Sequence, residues 1–306
     1  MTAAGDVVLT GGTGLISGRL AERLRAEGRT LRWITRNAAR VKLGGAERAF
    51  SWNGTDVEPA WLEGAGAVVH LAGEPVFGGV PTAARRERIW SSRVDSTRSI
   101  VDALAALPAA QRPAVFVCAS AVGYYGDSGD DELRESDPPG ASFLSQVCRD
   151  WEAEAARASE LGVRVCSLRI GVVLARKGGA LAMLLPLFRA GLGGRVGSGQ
   201  QWFPWIHLED CAALAHFALT SEAASGPWNC TAPGSARNTE FTRALAEALH
   251  RPAFFAVPAF ALRLALREIS TELLASHRAI PAAVSAAGFK FAYPDLREAI
   301  AEITAK

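Results

Sequence analysis

Val7-Val8-Leu9-Thr10-Gly11-Gly12-Thr13-Gly14-Leu15-Ile16-Ser17-Gly18 is the stretch that decides the fold. Three apolar residues run into a glycine-rich turn, and the turn runs into an amphipathic stretch carrying Leu15, Leu20 and Leu24, which Gly28 closes. A strand, a tight turn and a helix in that order place unpaired helix N–H groups and a positive dipole end just beyond the strand. Glycines let the backbone turn sharply and approach a pyrophosphate. The other reading is a glycine turn kept for packing. Position favours the nucleotide, because the loop opens the first of several strand–helix units. One place departs from the motif. Ser17 stands where the third glycine would allow close helix–strand packing, and its hydroxymethyl group calls for a small helix shift.

Working outward, short continuous apolar runs recur at 31–35, 67–71, 114–119 and 163–168, with a weaker one at 49–52. Helical stretches at 83–107 and 143–161 separate them, the latter stopped by Gly162. This alternation predicts an α/β protein: a Rossmann doubly wound parallel sheet covered on both faces. After Arg169 the character changes. Residues 171–199 are glycine-rich around an apolar run at 181–188, residues 202–207 are aromatic, and helices are expected at 209–219 and at 239–249, with Asn238 as cap. From Arg251 the chain is punctuated by Pro252, Pro258, Pro281 and Pro294. The expected organisation is a nucleotide-binding domain over 1–170, to which 200–232 returns. A small, mostly helical substrate lobe would comprise 171–199 and 233–306.

Bulk properties narrow the function. The 306 residues carry a net charge of +2, with 49% hydrophobic and 21% charged residues, an ordinary globular balance with no basic footprint for nucleic acid. The most apolar window, 253–266, is broken by Pro258 and Arg263, so no membrane span is expected. Five cysteines, odd in number and without a C-x-x-C pair, argue against a disulfide framework or a metal site. A cytoplasmic location is the expectation; the oligomeric state is open.

The end of the second strand bears on the cofactor. NAD sites usually place an acidic residue there for the ribose hydroxyls. Here the chain reads Trp33-Ile34-Thr35-Arg36-Asn37, with Arg40 nearby. A guanidinium suits a 2′-phosphate, which points to NADP(H). A solvated arginine at a strand end is the plainer alternative.

Several further motifs accompany the glycine loop: His70-Leu71-Ala72-Gly73-Glu74, Ser91-Ser92-Arg93, Ser120-Ala121-Val122-Gly123-Tyr124-Tyr125-Gly126, the segment 169–174, and Phe203-Pro204-Trp205-Ile206-His207. Together they resemble the epimerase-like family of atypical, extended-type short-chain dehydrogenase/reductases with a C-terminal domain of unknown function. The resemblance covers essentially the whole chain. It implies that Gly11, Gly12, Thr13, Gly14, Leu15 and Ile16 hold the diphosphate, and that Thr35 and Arg36 hold the adenosine end. It also implies that Leu71, Ala72 and Gly73 pass beside the cofactor, that Arg93 contacts NADP, and that Val173 lines the nicotinamide side. Core packing for Leu71 and Val173, and a surface charge for Arg93, are the alternatives.

Working short-chain dehydrogenases use a tyrosine and, four residues on, a lysine on one helix face, the ammonium helping the phenol to exchange its proton. The chain has three tyrosines, Tyr124, Tyr125 and Tyr293, and Ser128, Gly129 and Arg297 stand four residues on. The pair is absent. Ser120 at a strand end, Tyr124 or Tyr125 in the next loop, and Glu74 as a carboxylate base are the remaining catalytic candidates. Each also reads as a turn cap, a packed ring or a solvated acid. Trp202, Phe203, Trp205 and His207 read first as packing where the lobe meets the sheet. Asp210 reads as a helix-dipole acid and Lys177 as a solvated loop residue. Two functions follow: an NADP(H)-dependent oxidoreductase or epimerase-like enzyme acting on an unknown small molecule, or an NADP(H)-binding regulator or scaffold without catalysis.

Overall fold

The structure, a computed structural model, describes residues 5–76, 82–267 and 270–305. Seven strands form one parallel sheet: β1 (Val7–Thr10), β2 (Leu31–Thr35), β3 (Arg48–Ser51), β4 (Ala67–His70), β5 (Val115–Ala121), β6 (Arg164–Ile170) and β7 (Gly226–Cys230). Their spatial order is β7-β6-β5-β4-β1-β2-β3, and every pairing is parallel. The order reverses between β4 and β1, which opens a crevice at their carboxyl ends.

The strands read as continuous apolar runs because both faces are covered. Val7, Leu9, Leu31, Trp33, Val69 and Val117 point into one core with α1 (Leu15–Ala26) and α6 (Leu208–Thr220). Val8, Ile34, Val68 and Phe116 point into the other with α3 (Val94–Ala106) and α4 (Phe143–Ala156). Alternate residues of one strand thus feed opposite cores, as the twofold side-chain period dictates.

The single helix expected over 83–107 is in fact two, α2 (Ala83–Ser91) and α3, divided at Ser92 and Arg93. Serine hydroxyls compete with the backbone ladder there. Ser92 Oγ donates to Ile89 O at 3.2 Å, and Ser96 Oγ donates to Ser92 O at 2.7 Å. The helix over 143–161 is α-helical to Ala156 and continues as a 3-10 turn to Leu161, with Gly162 left-handed at φ 79°.

A third core holds the C-terminal lobe. It gathers Leu181, Leu185 and Phe188 of α5 (Gly179–Arg189), Phe241 and Leu245 of α7 (Asn238–Ala248), and Ile300 and Ile303 of the terminal helix Leu296–Thr304. The aromatic run over 202–207 is two short strands parted by Pro204. Trp202–Phe203 pairs with Ala236–Arg237, and Trp205–His207 pairs in parallel with Val172–Leu174.

Asn238 is the first residue of α7 and not its cap; its Oδ1 accepts from Val196 N at 2.8 Å. Asp210 likewise does more than complement a dipole. It is buried and accepts from Ala292 N and Tyr293 N at 2.7 and 2.9 Å, anchoring the C-terminal segment to α6.

Candidate cofactor and active site

β1 ends at Thr10, and the chain turns through Gly11, whose φ of 76° suits glycine. A Cβ on Gly11 would lie 3.2 Å from the Leu71 carbonyl oxygen and 3.3 Å from Ala72, so the turn sits tight against the end of β4. On Gly12 it would meet Val41 at 3.0 Å and Trp33 at 3.2 Å. Gly14 begins α1 without a side-chain cap, and no acidic residue stands in the first turn. The N–H groups and dipole of α1 are thereby left for an anion. Ser17 replaces the motif's third glycine by turning inward. It is buried, and its Oγ lies 2.5 Å from Gly11 O and 3.2 Å from Gly14 O, bonding the helix back to the loop. Thr13 and Gly14 are exposed, and Leu15 and Ile16 half-buried.

A buried polar chain supports this loop. Thr10 Oγ1 accepts from Leu71 N at 3.0 Å and Ala72 N at 3.1 Å, and lies 2.7 Å from His70 Nδ1. His70 Nε2 lies 3.0 Å from Ser96 Oγ. Burial pulls the His70 pKa down to about 3, so the imidazole is neutral. Its Nδ1 accepts from Thr10, and its Nε2–H donates to Ser96. The ends of β1 and β4 are thus tied to α3 where the crevice opens.

Around that crevice stand the other expected cofactor residues. Thr35 is buried at the end of β2, while the Arg36 side chain is 80% exposed, its Nη1 3.8 Å from Glu74 Oε2. Gly73 faces the Arg93 guanidinium, whose Cζ would be 3.5 Å from a Cβ there. Arg93 occupies the break between α2 and α3, donates to Ile89 O at 3.1 Å, and lies over the Trp151 ring at 5.4 Å. Burial lowers its pKa, opposed by Cys148 and Glu74. The break also lets Ser92 Oγ accept from Glu74 N at 3.0 Å. Val173 is half-buried on the short strand beside Trp205–His207, and its carbonyl approaches Gly179.

Ser120, Tyr124 and Tyr125 come together, but around an ion pair between buried Arg169 and half-buried Glu152. Ser120 Oγ donates to Glu152 Oε1 at 2.6 Å. Arg169 grips Glu152 with two hydrogen bonds, of 2.9 and 2.8 Å, and donates to Tyr125 OH at 2.9 Å. Tyr125 OH in turn donates to Asn229 Oδ1 at 2.7 Å. Burial pushes the Tyr125 phenol up to about 12, against the pull of Arg169. Tyr124 is half-buried, with the Arg169 guanidinium 3.5 Å above its ring. Glu74 belongs to a different group, beside Arg36 and Arg93. The aromatic cluster of the lobe packs as expected: Trp205 is buried with Nε1 bonded to Gly234 O at 2.8 Å, and His207 is buried against Tyr293 and Glu302.

Two groups at the site gave no signal in the sequence. Glu152 and Arg169 form the ion pair behind Ser120; one lies on α4 and one on β6, and only the fold joins them. Glu272, on the short helix Ser270–Leu274, reaches the turn after β5. Its Oε2 would be 3.1 Å from a Cβ on Gly123, and its Oε1 accepts from Ser142 Oγ at 3.5 Å. Nothing in the local sequence marks this carboxyl, since its partners lie some 130 residues earlier.

Comparison with known proteins bears on these features. Residues 7–231 match the NAD dependent epimerase/dehydratase family, and residues 257–303 match a domain of unknown function, DUF1731. An Arabidopsis thaliana relative, "Epimerase family protein SDR39U1 homolog, chloroplastic", is 40% identical over 97% of this chain and 86% of its own. The crystal structure of human epimerase family protein SDR39U1 (isoform2) with NADPH superposes with a TM-score of 0.86 at 32% identity, covering 98% of this chain and 99% of that one. A nucleoside-diphosphate sugar epimerase from Corynebacterium glutamicum gives 0.79 at 32% identity, over 99% of this chain and 59% of that one. With the glycine loop, the sheet order and the helical lobe in agreement, the chain belongs to the NAD dependent epimerase/dehydratase family and carries a DUF1731 domain at its C-terminal end.

Proposed function

We propose that the protein binds NADPH and exchanges hydride between it and a small carbonyl or hydroxyl compound seated beneath the C-terminal lobe. The observation that carries the cofactor half is the end of β2. Arg36 stands exposed beside the glycine loop, and no acidic residue follows Thr35 to hold a ribose 2′-hydroxyl. The human relative crystallised with NADPH adds support.

The uncapped start of α1 and the loop from Gly11 to Ile16 bind the diphosphate. Thr35 and Arg36 hold the adenosine end, with the guanidinium on the 2′-phosphate. Leu71, Ala72 and Gly73 form the floor at the switch point, Arg93 contacts the cofactor from the helix break, and Val173 lines the nicotinamide side. The nicotinamide, when bound, supplies the hydride.

Titration calorimetry tests the reading. Arg36→Ala weakens NADPH binding about tenfold or more, the scale of a charge-assisted hydrogen bond, and leaves NADH nearly unchanged. Equal affinity of the parent for both nucleotides would refute it. A second reading, an NADPH-binding regulator without turnover, is favoured by one feature. The Ser120 and Tyr125 hydroxyls are already spent within the Glu152–Arg169 network.

A further inference from the structure

Hydride transfer to a carbonyl needs a proton for the oxygen, and two of the candidate donors at the end of β5 are already engaged. Ser120 and Tyr125 point into the Glu152–Arg169 network, and α4 bears neither tyrosine nor lysine. Against this gap stands one carboxyl from the C-terminal lobe. Glu272 folds over the 3-10 turn Val122–Tyr124 that follows β5, on the carboxyl side of the sheet. Gly123 leaves the room: a side chain there would press on Glu272 Oε2. From α4 it faces the Ser142 hydroxyl, which caps that helix, and its charge helps to raise the pKa of the buried Cys148 thiol. Arg93 acts on the same thiol in the opposite sense. From the turn after β5 it meets the Gly123 backbone, with the Tyr124 phenol next in the chain. No cation among the described residues shifts the Glu272 carboxyl. Arg93 in turn borders Gly73 at the cofactor crevice.

We propose, resting on the NADPH reading above, that Glu272 is the acid–base residue of this site and that the C-terminal lobe supplies what the tyrosine–lysine pair supplies elsewhere. As hydride passes from NADPH to the carbonyl carbon, the C=O π bond opens and its oxygen takes the Glu272 proton. The carbonyl is reduced to an alcohol and NADPH is oxidised to NADP+. The Glu272 carboxylate then takes a proton from water, and the reverse reaction runs the same path. Burial, opposed by the Ser142 hydroxyl, pushes this carboxyl up to about 7, which suits an acid–base group at neutral pH.

The test compares the parent, Glu272→Gln and Glu272→Asp on two readouts. Calorimetry with NADPH reports the cofactor site alone, and single-turnover oxidation of bound NADPH by 4-nitrobenzaldehyde or ethyl pyruvate reports the chemistry. The expected result is unchanged NADPH affinity in all three proteins. Hydride transfer falls roughly 10²–10⁴-fold in Glu272→Gln and recovers in part in Glu272→Asp. In the parent the reduction rate drops as pH rises through about 7, and this limb is absent in Glu272→Gln. Equal rates and equal pH profiles in parent and Glu272→Gln overturn the proposal and leave the NADPH reading standing, as does tight NADPH binding with no oxidation by either carbonyl. A parent that binds no NADPH overturns both.

Discussion

At the scale of single residues, Thr10 carries more of the site than any glycine. Its hydroxyl oxygen receives two backbone N–H groups from the end of β4, and its one proton satisfies the neutral His70. Thr10→Val keeps the shape and removes all three bonds, leaving two N–H groups and a ring nitrogen without a partner in a buried place. We expect a loss of about 2–4 kcal/mol in denaturant unfolding, with Thr10→Ser close to the parent. A loss under about 0.5 kcal/mol would show that water replaces the hydroxyl. The glycines of the loop were legible because their chemistry is local. Ser17 was legible as a departure, but not its remedy, since a hydroxyl turned onto the Gly11 and Gly14 carbonyls is a matter of rotamer. Thr10, Glu152 and Glu272 gave no signal, because each acquires its role from a partner distant in the chain.

Among the elements, the strands were the most readable. A strand buried on both faces must be apolar throughout, so Ala67–His70 and Val115–Ala121 announce themselves as short continuous runs. The division between α2 and α3 was not readable, because neither glycine nor proline marks it. Serine hydroxyls bend the ladder by taking carbonyls, and serines also occur in unbroken helices. The break has a use: it lets Ser92 Oγ meet Glu74 N and brings the Arg93 guanidinium against Gly73. Asn238 misled for a related reason. A residue typical of helix caps was spent on the Val196 N–H, and the Arg237 N–H is taken up by the Glu240 carboxylate.

For the molecule as a whole, two buried histidines and the half-buried Glu272 tie stability to pH in opposite senses. His70 and His277 have pKa values of about 3 and about 4 through burial, against 6.5 when unfolded. The unfolded chain therefore binds their protons first, and stability falls as pH drops below 6.5. Glu272 works the other way. Folded, it keeps until about 7 a proton that the unfolded chain gives up near 4.5, so stability is lost as pH rises through that window. Glu272→Gln should melt roughly 2–4 °C above the parent at pH 8 and show no such gain at pH 4. Parallel melting curves across the whole range would contradict the burial of this carboxyl. The two lobes also meet at the nucleotide loop. A Cβ on Gly178 or Gly179 would stand 3.5 Å from the Leu15 side chain, next to the exposed Arg176 and Lys177. That contact makes a protease a reporter of occupancy. Filling the loop steadies Leu15 and, through it, the glycine pair, so trypsin should cut after Arg176 or Lys177 more slowly in the presence of NADPH, while cleavage at the same rate with and without nucleotide would mean that the two lobes are held independently.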